Sequence, residues 1–488
     1  MIFFSERFGI DAAALEAHGA LDVSLVTDLP FFIDPFLLFN SKKAIYRALH
    51  ESIIAYLVFL RDKAAAGEIS EALLRAWYCF PEVKQTWIGF SEKGNSGSGL
   101  GIDFARALHE NLHKLFPEFG EESVTKGSHL EKVCLIREGV GRDNISDFVT
   151  NLIKDFLCKY TEELARKHLP DDQTRDVAIN NSIFNYETET WESKTYRLPW
   201  ADDDYVLLCP KDLLTRDENW INKLDLVRRF EEIPLAIPDG QLRGLVTNYF
   251  EKALPRHPRR HPNQREQAEA ARRTILQFPQ LIDYYIKVKE QRGAEATSIA
   301  NEKVRLTEQL LVTQLKHLRE LLQQNTEFYR VRGTTYDEAH QRVAYLKDVI
   351  ENKGGHRLFY SGGVAIQRES DLQIAYRLVW PGSTSDVSTE VNDGRGPADF
   401  KISRGATDKT IVEMKLAKNT QLKRNLERQV EIYKKASDAD SAIKVIMFFT
   451  AEEEERVAAI LADLGLSDNK DIVLIDARND NKPSGSKA

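Results

Sequence analysis

The chain has 488 residues, of which 42% are apolar and 29% charged, with a formal net charge of −8. This length suggests roughly two to four domains and ample material for buried cores. The acidic balance excludes a polycation that binds nucleic acid over its whole surface, while a local basic groove stays compatible with it.

Residues 1–7 are apolar too briefly for a signal peptide, and apolar stretches such as 53–60 fall far short of a bilayer span. A cytoplasmic location is therefore expected. Cys79, Cys134, Cys158 and Cys209 are scattered without a CxxC pair, which indicates neither a zinc site nor a disulfide framework.

Residues 1–255 read as a mixed α/β recognition or regulatory unit, with strand character at 29–35 and 204–210 and amphipathic helices at 41–63 and 144–167. In the second helix Ile145, Phe148, Leu152, Phe156 and Tyr160 recur at helical spacing, and Asp143 is placed to cap the start. The Gly/Ser-rich stretch 94–101 lacks the Gly-Lys-Ser/Thr ending of a P-loop and reads as a surface loop. Trp77, Trp87, Trp191, Trp200 and Trp220 read as core or interface.

Pro255, Pro258 and Pro262 forbid a continuous helix and mark an elbow. His257 and His261 stand four apart there, but the prolines spoil the helix that would align them as metal ligands. Two long helical patterns follow at 264–291 and 297–324. Leu310, Leu311, Leu315, Leu318 and Leu322 form an apolar stripe suited to a helical hairpin or to a homo-oligomer seam within 264–324. Residues 256–330 are thus an elbow plus a helical hairpin.

Residues 331–478 read as one compact α/β unit. A helix at 335–353 ends at Gly354-Gly355, and strands follow near 358–360, 372–379, 398–402 and 410–416. A helix at 420–436, a strand at 443–449, a helix at 452–464 and a strand at 472–475 complete it, and the polar tail 479–488 is expected to be disordered. The fold class is therefore multidomain α/β.

The chemistry concentrates in Thr410-Ile411-Val412-Glu413-Met414-Lys415-Leu416. Strand alternation puts Glu413 and Lys415 on one face and Val412 and Met414 on the other. A Glu and a Lys in an otherwise buried strand are costly unless compensated, and a divalent metal and a phosphate would compensate them. Glu-x-Lys also occurs at Glu82/Lys84, Glu192/Lys194 and Glu351/Lys353, so the tripeptide alone carries nothing. Only Glu413/Lys415 has an apolar strand, a short turn and an Asp on the preceding strand, Asp399. Asp399, Glu413 and the Met414 carbonyl are oxygen ligands suited to Mg²⁺, for which Mn²⁺ would substitute. Lys415 would orient an attacking water and stabilise charge building on a phosphate.

These residues, in a strand–turn–strand–helix order, resemble the PD-(D/E)xK phosphodiesterase superfamily over roughly residues 335–476. The resemblance implies a restriction-endonuclease-like αβββαβ core and metal-dependent cleavage of nucleic acid, with DNA favoured over RNA and endonuclease over exonuclease action. Gln429 and Tyr433 are similar to the Gln-x-x-x-Tyr element of branches related to the RecB nuclease and the Holliday-junction resolvases, which implies a catalytic role for Gln429. The superfamily also implies a further acid. Glu390 is preferred because it precedes the glycine-flanked Arg395, with Glu369, Glu338 and Glu351 as competitors. Arg395, Lys418, Arg424, Arg428 and Tyr433 are candidate nucleic-acid contacts. A large N-terminal region joined to such a unit resembles anti-phage defence or restriction effectors. The alternative is a catalytically silent nucleic-acid-binding or sensor protein that keeps the fold.

Overall fold

The computed structural model describes residues 3–89, 101–115, 119–132, 135, 142–216, 218–255, 262–314, 316, 333–361, 363–378, 380, 385–392, 397–404, 408–427 and 441–482. The fold is mixed α/β throughout. Among the described residues, no helix is long and apolar enough to cross a membrane.

In the N-terminal part, helix α1 (Ala44–Ala66) packs with α2 (Ile102–Leu115), α3 (Arg142–Leu152) and α4 (Lys154–His168). The single helix expected over 144–167 is divided at Ile153, whose backbone (φ −103°, ψ 17°) leaves helical geometry between α3 and α4. A hairpin that the sequence reading did not anticipate follows, β1 (Thr174–Asn185) paired antiparallel with β2 (Thr190–Ala201). It lies against α4, with Cys158, Ile179, Tyr196, Leu198 and Leu207 in one buried cluster. The expected strand at 29–35 contracts to a two-residue ladder in which Phe32 pairs with Thr215 and Ile33 with Leu214.

Helices α5 (Gly240–Ala253), α6 (Gln264–Gln277), α7 (Leu281–Gln291) and α8 (Gly293–Glu308) come next. Among the described residues, the first helix of the expected hairpin, 264–291, is thus divided into α6 and α7. Pro279 drives the preceding Phe278 out of helical backbone (φ −128°, ψ 73°), which ends α6. Val246 and Ile233 share a core cluster with Ala271, Leu281 and Ile286, so the segment 256–261 joins helices of one core. Leu310 and Leu311 are buried within the chain's own main core, while Leu315, Leu318 and Leu322 lie outside the described residues. His257 and His261 also lie outside them.

The C-terminal part begins with α9 (Thr335–Asn352), capped by a reciprocal Thr334–Asp337 box and ended near Gly354 at φ +78°. Residues 369–378, partly expected as a strand, form helix α10 (Glu369–Leu378). Leu372, Ala375 and Tyr376 are buried apolar residues of it, at helical spacing, and Tyr376 packs on Phe400 with ring centroids 4.8 Å apart. Packing on the sheet decided between the two periods that this segment's sequence allows.

Strands β3 (Asp386–Asn392), β4 (Pro397–Arg404) and β5 (Asp408–Leu416) form an antiparallel meander. β6 (Ser441–Phe448) then adds parallel to β5, and after helix α11 (Ala451–Asp463) the last strand, β7 (Ile472–Asp476), adds parallel to β6. The order is β7-β6-β5-β4-β3. β6 is apolar and buried from Ala442 to Phe448 except for the buried Lys444, as a parallel strand covered on both faces requires. Val412, Met414 and Leu416 join a core with Val343, Leu346 and Ile350 of α9. The opposite face packs Ile446 and Phe448 under Leu422, Leu426, Val457 and Leu461.

Candidate active site

β5 is central, with partners on both sides, which is why Glu413 within it is buried and Lys415 half-buried. The β4–β5 ladder runs from Asp408↔Arg404 to Val412↔Phe400. Just beyond it, the Met414 N–H donates to Asp399 Oδ2 at 2.7 Å. A side-chain carboxylate takes up a main-chain donor at the point where the paired strands part.

Lys415 Nζ lies 3.2 Å from Asp399 Oδ2 and 3.6 Å from Glu369 Oε2. Glu369, at the start of α10, also accepts from the Leu416 N–H at 3.3 Å and from Asn419 Nδ2 at 2.6 Å. Glu413 is buried, and its Oε2 has no hydrogen-bond partner among the described residues. Lys444 Nζ stands 3.9 Å from that oxygen and donates to the Asn425 carbonyl at 2.8 Å. The parallel register sets Lys444 opposite Glu413.

Burial pushes the Asp399 carboxyl above its usual range, against the pull of Lys415 and the Met414 amide. Burial likewise raises Glu413, partly offset by Lys444 and reinforced by Asp399. For Lys415, burial opposes the charge, but Asp399, Glu369 and Glu413 together hold the ammonium above the usual lysine range. Burial lowers Lys444, with Glu413 resisting. The site is one coupled set of two lysines and three carboxylates.

Residues 9–222 match a domain of unknown function (DUF8370), and residues 335–451 match a second domain of unknown function (DUF8371). No curated protein and no solved structure matches the chain. Asp399, Glu413, Lys415, Glu369 and Lys444 all fall within the second matched domain, whereas β7 falls outside it.

Of the residues expected at the site, Asp399, Glu413 and Lys415 are brought together, and Met414 takes part through its N–H. Glu369, a competitor in the sequence reading, is an acid beside Lys415. Glu390 sits on β3 between Thr389, paired with Phe400, and Val391, paired with Ala398; its side chain lies outside the described residues. Glu338 is instead locked to Arg342, Arg404 and Ser385, and Glu351 to Lys347 and the Asp476 N–H. Lys418 donates to the Ile366 carbonyl and Gln367, and Arg424 is exposed. Arg395, Arg428, Gln429 and Tyr433 lie outside the described residues. The sequence reading missed Lys444. Its signal was the same as that of Glu413, a lone charge inside an apolar strand.

The donor set fits a hard divalent cation in part. The orphaned Glu413 oxygen and Asp399 supply carboxylate oxygens, and Mg²⁺ ordinarily takes one or two carboxylates and completes its shell with water and phosphate. Among the described residues, no three His, Cys, Asp or Glu side chains group as metal ligands, and Lys415 contacts both Asp399 and Glu369.

Proposed function

We propose that the C-terminal unit is a Mg²⁺-dependent nuclease that hydrolyses phosphodiester bonds of nucleic acid, with a restriction-endonuclease-like core. The observation that carries this reading is the pair of buried carboxylates Asp399 and Glu413 beside the half-buried Lys415 at the parting of β4 and β5, with one Glu413 oxygen lacking a hydrogen bond among the described residues. The five-stranded sheet, its meander continued by two parallel strands and covered by helices on both faces, supports it.

When bound, a divalent cation would polarise the phosphate and acidify a water. Asp399 and Glu413 would hold it. Lys415, kept cationic by its carboxylates, would face the phosphate and stabilise the charge that develops there. Glu369 positions Lys415 and the end of β5 without touching the reacting atoms.

A second reading, a silent nucleic-acid-binding protein, is favoured by the saturation of Lys415 with carboxylates. Purified full-length chain, incubated with Mg²⁺ or Mn²⁺ and single- and double-stranded DNA and RNA, separates the two. Cleavage that is lost in both Lys415→Ala and Asp399→Ala supports the nuclease; cleavage that survives in both overturns the site. By architecture alone, the biological setting we propose is anti-phage defence or restriction. Toxicity on expression that does not depend on Lys415 counts against it.

A further inference from the structure

A cavity of about 270 Å³ lies between the N-terminal domain and the stretch of β4 around Asp399. Thr27, Asp28, Phe32, Arg142 and Arg216 line it from one side, and Arg368, Gln373, Arg377, Asp399 and Phe400 from the other. The two sides come from the two matched domains. They are pinned together by an ion pair from Arg216 to Asp371, while Arg216 also donates to Thr307 at 3.0 Å.

The lining carries four arginines and two carboxylates, with Asp371 on Arg216 and Glu218 3.7 Å from Arg142, and guanidinium forks of this kind suit an anion such as phosphate. Arg142 stands over Phe32, its guanidinium carbon 4.6 Å from the ring centroid. Such a plane is a stacking surface for a nucleobase. Asp28 is 6% exposed, and neither of its oxygens has a hydrogen-bond partner among the described residues. It is held in place by the backbone of its neighbour: Leu29 donates to the Trp87 carbonyl and accepts from Gly89, each at 3.0 Å. A buried acid left with both oxygens unsatisfied is costly unless something else satisfies it.

We propose that this cavity binds one nucleotide, its phosphate on Arg368 and Arg377 and the exocyclic amino group of its base on Asp28. The volume falls just below the ~300–1,000 Å³ of sites for drug-sized ligands, so one nucleotide unit enters and a duplex does not. The chemistry is shared by a free nucleotide and by the terminal nucleotide of a strand. The assignment deepens the nuclease reading through Asp399, which the cavity and the site have in common. It also stands without cleavage, because the arginines and Asp28 need no metal to bind.

The test is calorimetric titration of the full chain in EDTA with AMP, CMP, UMP and inorganic phosphate. AMP and CMP are expected to bind at least tenfold more tightly than phosphate and at least fivefold more tightly than UMP. Arg368→Gln and Arg377→Gln are each expected to weaken AMP at least fivefold, with folding checked by circular dichroism. Asp28→Ala should erase the preference over UMP. AMP binding no tighter than phosphate, or unchanged in both arginine variants, overturns the proposal. A 5′-phosphorylated single-stranded dodecamer, competed against AMP beside its unphosphorylated form, tells a strand end from a free nucleotide. Nucleotide binding that persists in a chain without nuclease activity removes the nuclease reading alone.

Discussion

Met414 donates its backbone N–H to Asp399 Oδ2 at 2.7 Å, just past the last backbone pair between β4 and β5. Asp399 therefore has a structural duty separable from its charge. Asp399→Asn keeps an acceptor for the amide and is expected to leave the melting temperature nearly unchanged, while lowering metal-dependent cleavage at least 100-fold. Asp399→Ala leaves the Met414 amide without its partner and is expected to cost about 1–3 kcal/mol of stability as well. Thermal melts of the two variants beside their cleavage rates check the distinction.

Glu369 touches Lys415 and the end of β5 but is a positioning residue. Glu369→Gln retains a hydrogen-bonding oxygen and loses the charge. Under the nuclease reading its kcat is expected to fall roughly tenfold with little change in KM, the signature of an interaction made in the transition state. A rise in KM with kcat unchanged would place Glu369 in substrate binding instead.

Glu338 and Arg342 are both almost wholly buried and joined at 3.0 Å, and Arg404 and Ser385 engage the other Glu338 oxygen. Glu338→Ala leaves a buried guanidinium without its main counter-charge. A loss of about 3–5 kcal/mol is expected, read from denaturant unfolding. Cleavage per folded molecule should be preserved, since this cluster lies apart from Lys415.

Burial pushes both Asp28 and Asp147 from 3.8 to about 8, helped by Glu82 and Asp143 and opposed at Asp28 by Arg377. The folded-state pKa lies above the unfolded one, so the native chain keeps protons that the unfolded chain releases. Stability is full below pH 4 on this account and is lost as pH rises towards 8. Melting temperatures should therefore fall between pH 5.5 and 9, and Asp28→Asn should flatten that fall. At pH 9 the variant is expected to exceed the parent chain by on the order of 1–2 kcal/mol. Parallel pH profiles for the two chains would remove the assignment.

The elements from 335 onward were legible because their apolar runs are long and bounded by clear stops, such as Gly354. Asp399 and Lys415 were legible because a charge in an apolar strand needs a reason. Residues 369–378 were misread because Leu372, Ile374 and Tyr376 alternate as a strand would, and only contact with Phe400 selects the helix. Without that helix, nothing in the sequence places Glu369 beside Lys415. Asp28, Arg142 and Arg216 carry no motif at all. More than 150 residues separate Arg216 from Arg368, and only tertiary packing places them around one cavity.

Lys415 stands between Asp399 and Glu369 and holds its proton firmly. The chain thus carries its own resting counter-ion where many metal sites wait for one. Its folding does not depend on a metal supply, and a chelator should leave the melting temperature unchanged. Under the proposed activity such a protein would be synthesised, folded and stored idle. Divalent ions would then govern how fast it works, and not how much of it exists.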